Sequence, residues 1–83
     1  MELTWDERKR LSNLDKHGLD FKSLPEGFLA DAVVRTSRHG RLVAIGRLAD
    51  AKVVTVILAP LGSEAMSVIS MRPASKKERA IAT

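Results

Sequence analysis

The segment KVVTVILA, residues 52–59, decides the fold of this chain. Five of its eight residues are β-branched, and its only charged side chain is the first. This composition is typical of a strand that is buried on both faces of a sheet. Turn-forming sequences lie on either side of it, ADA at residues 49–51 and PLGS at residues 60–63. We therefore expect residues 52–59 to form a central strand.

Three further strand patterns surround this segment, at residues 32–36, residues 41–48 and residues 65–72. The turn SRHG, residues 37–40, joins the first two, and the later connections are also short. Because short turns join antiparallel neighbours, the pattern predicts a four-stranded antiparallel meander.

Helix signals precede the strands. Asp6 is a favourable N-cap for a helix over about residues 7–16, and Gly18 supplies the left-handed residue that ends it. Asp20 can cap a second, shorter helix. The apolar residues before the first helix are expected to form a short strand or a hydrophobic plug.

A short C-terminal helix is also expected, because Ser75 and Glu78 have the spacing of a capping box. The 83 residues make one small domain, residues 1–83, with a single core. We predict an α+β fold in which N-terminal helices pack on one face of the four-stranded antiparallel sheet. The other face of the sheet would then be available to a ligand.

The composition excludes several classes of protein. Without cysteine there is no disulfide scaffold, thiolate zinc site or cysteine nucleophile. The two histidines are far apart and no glycine-rich phosphate loop exists, so we expect no metal and no cofactor. The longest apolar stretch, residues 53–61, is too short to span a bilayer, and no signal-peptide pattern precedes it. A cytoplasmic protein without a membrane partner is expected.

Charge is distributed unevenly along the chain. Residues 1–31 carry seven acidic and five basic side chains, whereas residues 32–83 carry three acidic and nine basic ones. A basic half built around strands suits a phosphate-binding surface. A solvated surface is the equally open alternative.

Cleavage of RNA demands little of a protein, because RNA carries its own nucleophile, the 2′-hydroxyl. The protein must align that group, move protons and stabilise charge on the phosphoryl oxygens. Arg72 alternates with apolar strand neighbours, and its planar guanidinium can bind phosphate through two hydrogen bonds. If Arg41 or Arg47 meets it on the open face of the sheet, the arginines would form a phosphate clamp.

Other candidate residues have a structural explanation beside the functional one. His17 is a possible general acid or base, because histidine titrates near neutral pH. Lys16 and His17 also occupy the last turn of a helix, where cations are stabilising. Glu78 is either a base or only the carboxylate of the capping box. The remaining basic residues of the C-terminal helix would bind RNA phosphates or be merely solvated; they are Lys76, Lys77 and Arg79.

Two separated blocks of residues form a specific combination. The first block contains Trp5-Asp6, Asn13, Lys16-His17-Gly18 and Phe21. The second contains Ile69-Ser70, Arg72, Ala74 and Glu78, and between the blocks Arg41 lies four positions before Ile45-Gly46. In this order the blocks resemble the BrnT family of small bacterial toxins.

The resemblance implies a RelE-like fold and a metal-independent endoribonuclease that cleaves RNA and inhibits translation. Arg72 would act with Arg41 or Arg47, assisted by His17 or Lys16. A ribbon-helix-helix antitoxin of the BrnA type would be the partner. Promoter DNA would be contacted only through the complex with that antitoxin.

The chain also departs from the family pattern. It contains no tyrosine, whereas family members often carry a tyrosine and a basic residue after the central strand, where this chain has LAPL at residues 58–61, and usually a tyrosine near the C-terminus. They also usually carry an acidic residue just before the first arginine, where this chain has Arg38-His39-Gly40. The alternative function is therefore a catalytically degenerate module that only binds an antitoxin or nucleic acid.

Overall fold

Five β-strands form a single sheet in the computed structural model, which describes residues 2–82. The strands are β1 (Glu2–Trp5), β2 (Val33–Thr36), β3 (Leu42–Arg47), β4 (Val53–Leu61) and β5 (Ala65–Pro73). The α-helices are α1 (Glu7–His17), α2 (Phe28–Asp31) and α3 (Lys76–Ala82), and 3₁₀ turns cover Phe21–Ser23 and Arg38–Gly40. None of the helices within residues 2–82 has the length and apolar character needed to cross a membrane.

The strand order is β1-β5-β4-β3-β2, which confirms that β4 is the central strand. Strands β2 to β5 form the expected antiparallel meander. However, β1 pairs in parallel with β5, with Glu2 opposite Ala65 and Trp5 opposite Val68. The predicted four-stranded antiparallel sheet is therefore wrong, because the sheet is five-stranded and mixed. Pairing between the two ends of the chain leaves no local turn signal, so the meander pattern could not reveal it.

The predicted caps set the bounds of the N-terminal helical segments. The Asp6 carboxylate accepts a hydrogen bond from the Arg8 amide at 2.8 Å, and Gly18 ends α1 with φ of 69°. The Asp20 carboxylate accepts from the Lys22 amide at 2.9 Å and so caps the next segment. That segment is a single 3₁₀ turn rather than the short helix expected from the sequence.

The hydrophobic core lies on the sheet face that carries alternate β4 residues. Its buried residues are Leu19, Phe21, Phe28, Ala44, Leu48, Val54, Val56, Leu58, Val68 and Met71. The Trp5 and Phe21 rings meet edge to face with centroids 6.1 Å apart. Phe28 of α2 packs so closely on β3 that a Cβ at Gly46 would lie 2.9 Å from its ring. These contacts fix the N-terminal helical segments against the sheet.

A polar side chain, rather than an apolar stripe, anchors α1. Strand β1 pairs only with residues 65–68 of β5, and beyond that point the Asn13 amide bonds the strand edge. Its Nδ2 donates to the Met71 carbonyl at 2.9 Å, and its Oδ1 accepts from the Met71 amide at 3.0 Å. Nδ2 also donates to the Leu19 carbonyl at 3.1 Å. The buried amide therefore continues the sheet for one residue and joins α1 to it.

The second face of the sheet is not left open as predicted. Ile45, Thr55 and Arg72 lie opposite one another on β3, β4 and β5, so their side chains share this face. Ile45 and Thr55 are buried, and α3 packs against β3 and β4. The expectation that this face stays available to a ligand is thus corrected, because α3 covers part of it. The physical cause is an ion pair between Arg72 and Glu78 of α3.

A β-bulge changes the expected alternation in β5. The pairing shifts by one residue between Ile57, which faces Ser70, and Leu58, which faces Val68. Ile69 is therefore the extra residue of the bulge. Val68 is fully buried in the core together with Met71, whereas Ile69 is half-buried. The bulge therefore interrupts the regular alternation of side chains along β5 at Ile69.

Candidate functional site

A shallow groove of about 300 Å³ lies between α1 and the bulged edge of β5. The helix and the strand both contribute to its wall, which consists of Arg8, Lys9, Ser12, Asn13, Lys16, His17, Ile69 and Ser70. Asn13 holds the helix to the strand at this point, because its amide bonds the backbone of Met71. The groove therefore has a fixed floor and cationic walls.

The structure brings the predicted residues Lys16 and His17 together in this groove. Both lie in the last turn of α1, where cations stabilise the helix terminus. His17 is half-buried and Lys16 is exposed. The same position therefore allows both explanations: the two side chains stabilise the end of α1, and they also line the groove.

The groove also contains residues that the sequence reasoning missed. Arg8 lines it two turns before Lys16 and Ser12 one turn before, and Lys9 lies beside them. Positions 8, 12 and 16 recur every four residues, so they follow one side of the helix. That four-residue spacing is visible in the sequence, but it does not show that this side of the helix meets the edge of β5.

Arg72 lies on the second face of the sheet and is bound by Glu78 through both carboxylate oxygens. Its Nη1 donates to Oε1 at 2.7 Å, and its Nη2 donates to Oε2 at 2.9 Å. The predicted capping box is also present, since Oε1 accepts from the Ser75 amide at 2.8 Å and Ser75 Oγ accepts from the Glu78 amide at 3.2 Å. One carboxylate therefore caps α3 and attaches it to β5.

The charges of this pair stabilise each other. Hydrogen bonding by Arg72 lowers the pKa of Glu78 to about 2, and the Ser75 amide adds to the effect. Hydrogen bonding by Glu78 raises the pKa of Arg72. The fully buried Thr55 hydroxyl also helps to lower the pKa of Glu78, although its geometry falls outside that of a hydrogen bond. The Arg72 side chain remains 40% exposed.

Arg41 and Arg47, at the two ends of β3, lie apart from Arg72. Arg47 shares its sheet face, but the intervening residues Ile45 and Thr55 are buried beneath α3. The Arg47 Nη1 donates to the Ala51 carbonyl at 3.3 Å, and the side chain borders a second cavity between α2 and β3. Arg41 precedes β3 and is exposed. The predicted clamp between Arg72 and a β3 arginine is thus interrupted by the C-terminal helix in this conformation.

The basic residues of α3 are placed on its surface. Lys76, Lys77 and Arg79 are all exposed, and the Arg79 Nη1 donates to the Ala74 carbonyl at 3.4 Å. Over residues 2–82 no three His, Cys, Asp or Glu side chains are grouped closely enough to hold a metal ion. The predicted site residues therefore fall into four groups: the α1 groove, the Arg72–Glu78 pair, the arginines at the two ends of β3, and the basic residues on the surface of α3.

Two comparisons with known proteins give matches. The model of a family described as the ribonuclease toxin, BrnT, of a type II toxin–antitoxin system matches residues 5–78. The crystal structure of the Brucella abortus ribonuclease toxin, BrnT, is similar with a TM-score of 0.84 and 49% sequence identity. That match covers 92% of this chain and 99% of the other. No curated protein sequence matches the chain.

Proposed function

Because the chain belongs to the BrnT family of ribonuclease toxins of type II toxin–antitoxin systems, we propose that it cleaves RNA internally without a metal ion and thereby inhibits translation. The observation that carries the proposal is the cationic groove in which Lys16 and His17 adjoin the edge of β5. A phosphodiester in this groove would lie beside an imidazole that can move a proton.

The reaction requires no group beyond the chain and the RNA. The 2′-hydroxyl gives up its proton and its oxygen attacks the adjacent phosphorus, while the bond from phosphorus to the 5′-oxygen breaks. The departing oxygen takes a proton, leaving a cyclic phosphate and a 5′-hydroxyl. His17 is proposed to move one of these protons, and Lys16 to stabilise charge on the phosphoryl oxygens.

Arg72 has two possible parts in this scheme. Its two bonds to Glu78 leave other guanidinium donors, and the side chain is 40% exposed. Arg72 can thus contact a phosphate while Glu78 holds it in place, or it can exchange the carboxylate for the phosphate. Arg41 and Arg47 are proposed to contact phosphates farther along the RNA strand.

The proposed partner is a ribbon-helix-helix antitoxin of the BrnA type, since membership of a type II toxin–antitoxin family implies an antitoxin. We propose that their complex represses its own promoter through the antitoxin. The setting would be the cytoplasm, where the RNA substrate and the antitoxin are made.

Cleavage of a labelled RNA in EDTA by purified protein tests the activity. We expect cleavage by the wild type, and a rate lowered by about 10²-fold or more in His17→Gln, the range typical of lost acid–base catalysis. Arg72→Ala and Arg72→Lys are compared with it, each checked for folding by circular dichroism. Glu26→Gln is the matched surface control. Cleavage that appears only when Mg²⁺ is restored would refute metal independence.

A non-catalytic binding module is the second candidate, and the engagement of Arg72 by Glu78 favours it. Both carboxylate oxygens already occupy the arginine that the sequence marked as the best phosphate ligand. This function predicts RNA or antitoxin binding with no RNA products, with or without Mg²⁺ and ribosomes. RNA cleavage products made by the wild type, but not by the variants, would exclude it.

A further inference from the structure

The basic side chains of α1 are divided between its two sides. Successive helical residues are rotated by about 100°, so Arg8, Lys9 and Lys16 fall on one side of the buried Asn13. Arg10 falls on the other side, where it bonds Glu7 and donates from Nη1 to Asp20 at 3.0 Å. The division separates an arginine that has a structural partner from three cations that face the groove.

The groove cations have no carboxylate partner in the described part of the chain. The three salt bridges found there join Arg10 to Glu7, Arg10 to Asp20, and Arg72 to Glu78. Three uncompensated cations around one depression create a positive potential that attracts an anion. A merely solvated face would not require them to gather around a concave surface.

Helix energetics makes the position of two of these cations costly. Arg8 and Lys9 lie in the first turn of α1, at the positive end of the helix dipole, where cations are disfavoured. Asp6 and Glu7 are the residues that suit this end. Folding alone therefore gives no reason for a basic pair here, whereas binding an anion does.

Neutral donors complete the groove. The Ser12 and Ser70 hydroxyls line it from the helix and from the strand, and each can donate to a phosphoryl oxygen. The Asn13 amide is committed to backbone groups of β5 and of Leu19, so it supports the floor rather than the ligand. Cations with adjacent hydroxyl donors are the usual set for binding a nucleic-acid backbone.

We propose that Arg8, Lys9 and Ser12 form a binding track for the backbone of single-stranded RNA, and that the track leads to Lys16 and His17. The inference rests on the proposed function, because it takes RNA as the anion. It assigns the phosphates next to the cleavage position to the first two turns of α1. Arg8 and Lys9 are binding residues in this scheme and take no part in the chemical step.

The salt dependence of RNA binding tests the track. The probe is a fluorescein-labelled single-stranded 2′-O-methyl RNA of mixed sequence, whose blocked 2′-oxygens prevent cleavage. Each phosphate contact on a single strand contributes about 0.7 to the slope of log Kd against log salt concentration. Arg8→Gln/Lys9→Gln should lower that slope by about 1.4 and weaken binding about 25-fold at 0.1 M salt.

Two control proteins separate the track from general charge. Lys22→Gln/Lys52→Gln removes the same charge from other parts of the surface and should keep the wild-type slope. Arg8→Lys/Lys9→Arg keeps both charges in the groove and should keep it as well. Urea unfolding of Arg8→Gln/Lys9→Gln should show a midpoint equal to or above that of the wild type, since two cations leave the positive helix end.

An unchanged slope in Arg8→Gln/Lys9→Gln, or an equal fall in both neutralised proteins, would overturn the inference. The groove would then serve another anionic partner, such as an acidic segment of an antitoxin. If the wild type cleaves RNA in this case, the proposed function stands and the track alone fails. If the wild type neither binds nor cleaves RNA, both fail together.

Discussion

Replacing Glu78 by Gln isolates the charge that attaches α3 to the sheet. The Gln Oε1 can still accept from the Ser75 amide, so the capping box survives the change. What disappears is the pair of charged bonds to Arg72, at 2.7 and 2.9 Å. The Glu78 side chain is only 18% exposed, so water replaces this interaction incompletely.

The pKa of Glu78 gives the size of the effect. It is lowered from 4.5 to about 2, chiefly by hydrogen bonding to Arg72. At 1.36 kcal/mol for each pH unit, the upper limit on the stabilisation is about 3.4 kcal/mol. Because the Arg72 side chain is 40% exposed, solvent screening reduces this figure by about half. Glu78→Gln should thus lower the free energy of unfolding by about 1.5–2 kcal/mol at pH 7.

Urea unfolding between pH 2 and pH 7 checks both the size and the sign. A lowered pKa in the folded state stabilises the protein above the unfolded pKa, and the contribution is lost as the pH falls through the folded value. The wild type should therefore lose its advantage over Glu78→Gln between about pH 4.5 and pH 2. Glu26→Gln, at an exposed carboxylate, is the control and should follow the wild type at every pH.

Two results would refute this reasoning. A Glu78→Gln protein as stable as the wild type at pH 7 would mean that the ion pair contributes nothing net, as many exposed pairs do. A stability gap that persists at pH 2 would mean that Gln disturbs the packing of α3 rather than its charge.

Two further substitutions test the fold that positions the site. Asn13→Ala leaves the Met71 amide and carbonyl and the Leu19 carbonyl without their side-chain partner. The free energy of unfolding, measured by urea denaturation, should therefore fall by about 3 kcal/mol. A decrease below about 1 kcal/mol would contradict the role of Asn13 in bonding the edge of β5. Gly46→Ala places a Cβ 2.9 Å from the buried Phe28 ring, and overpacking of this kind costs about 1–3 kcal/mol. The midpoint temperature of thermal unfolding should then fall by roughly 5–15 °C. An unchanged midpoint would show that α2 can move away from β3 without cost.

The parts of the fold that were predictable depend on residues close together in the chain. The caps of α1 at Asp6 and Gly18 act on backbone groups a few positions away, so the sequence alone could locate them. The β-branched run of β4 needed only its composition and two flanking turns. Because such signals are complete within a short window, both predictions are confirmed.

The features that were not predicted depend on contacts between distant elements. Nothing in residues 2–5 indicates that their partner is β5 rather than a neighbouring strand. The sequence identified Glu78 as a capping carboxylate, yet the same carboxylate also binds Arg72 and so draws α3 onto the second face. The spacing of a capping box predicts hydrogen bonds only within one helix terminus, so it does not indicate a second partner on another element.

The candidate site was predictable to a similar extent. Lys16 and His17 were identified from residue chemistry, and the structure places them in one groove. Arg8 and Lys9 were not predicted as site residues, because only the contact between α1 and the edge of β5 places them in this groove. Asn13 belongs to the first block of the family pattern, but its bonds to Met71 depend on where β1 stops.

The parallel pairing of β1 with β5 has a consequence for synthesis of the chain on the ribosome. A nascent chain that ends before residue 65 holds only β2, β3 and β4 as mutual partners, while β1 has no strand to pair with. The same chain lacks Met71, the residue to which Asn13 attaches α1. Helix α1, which carries the basic side chains of the groove, is translated first but can pack against the sheet only after β5 has been made. Long-range closure of this kind slows folding, and it delays formation of the groove until β5 has been translated.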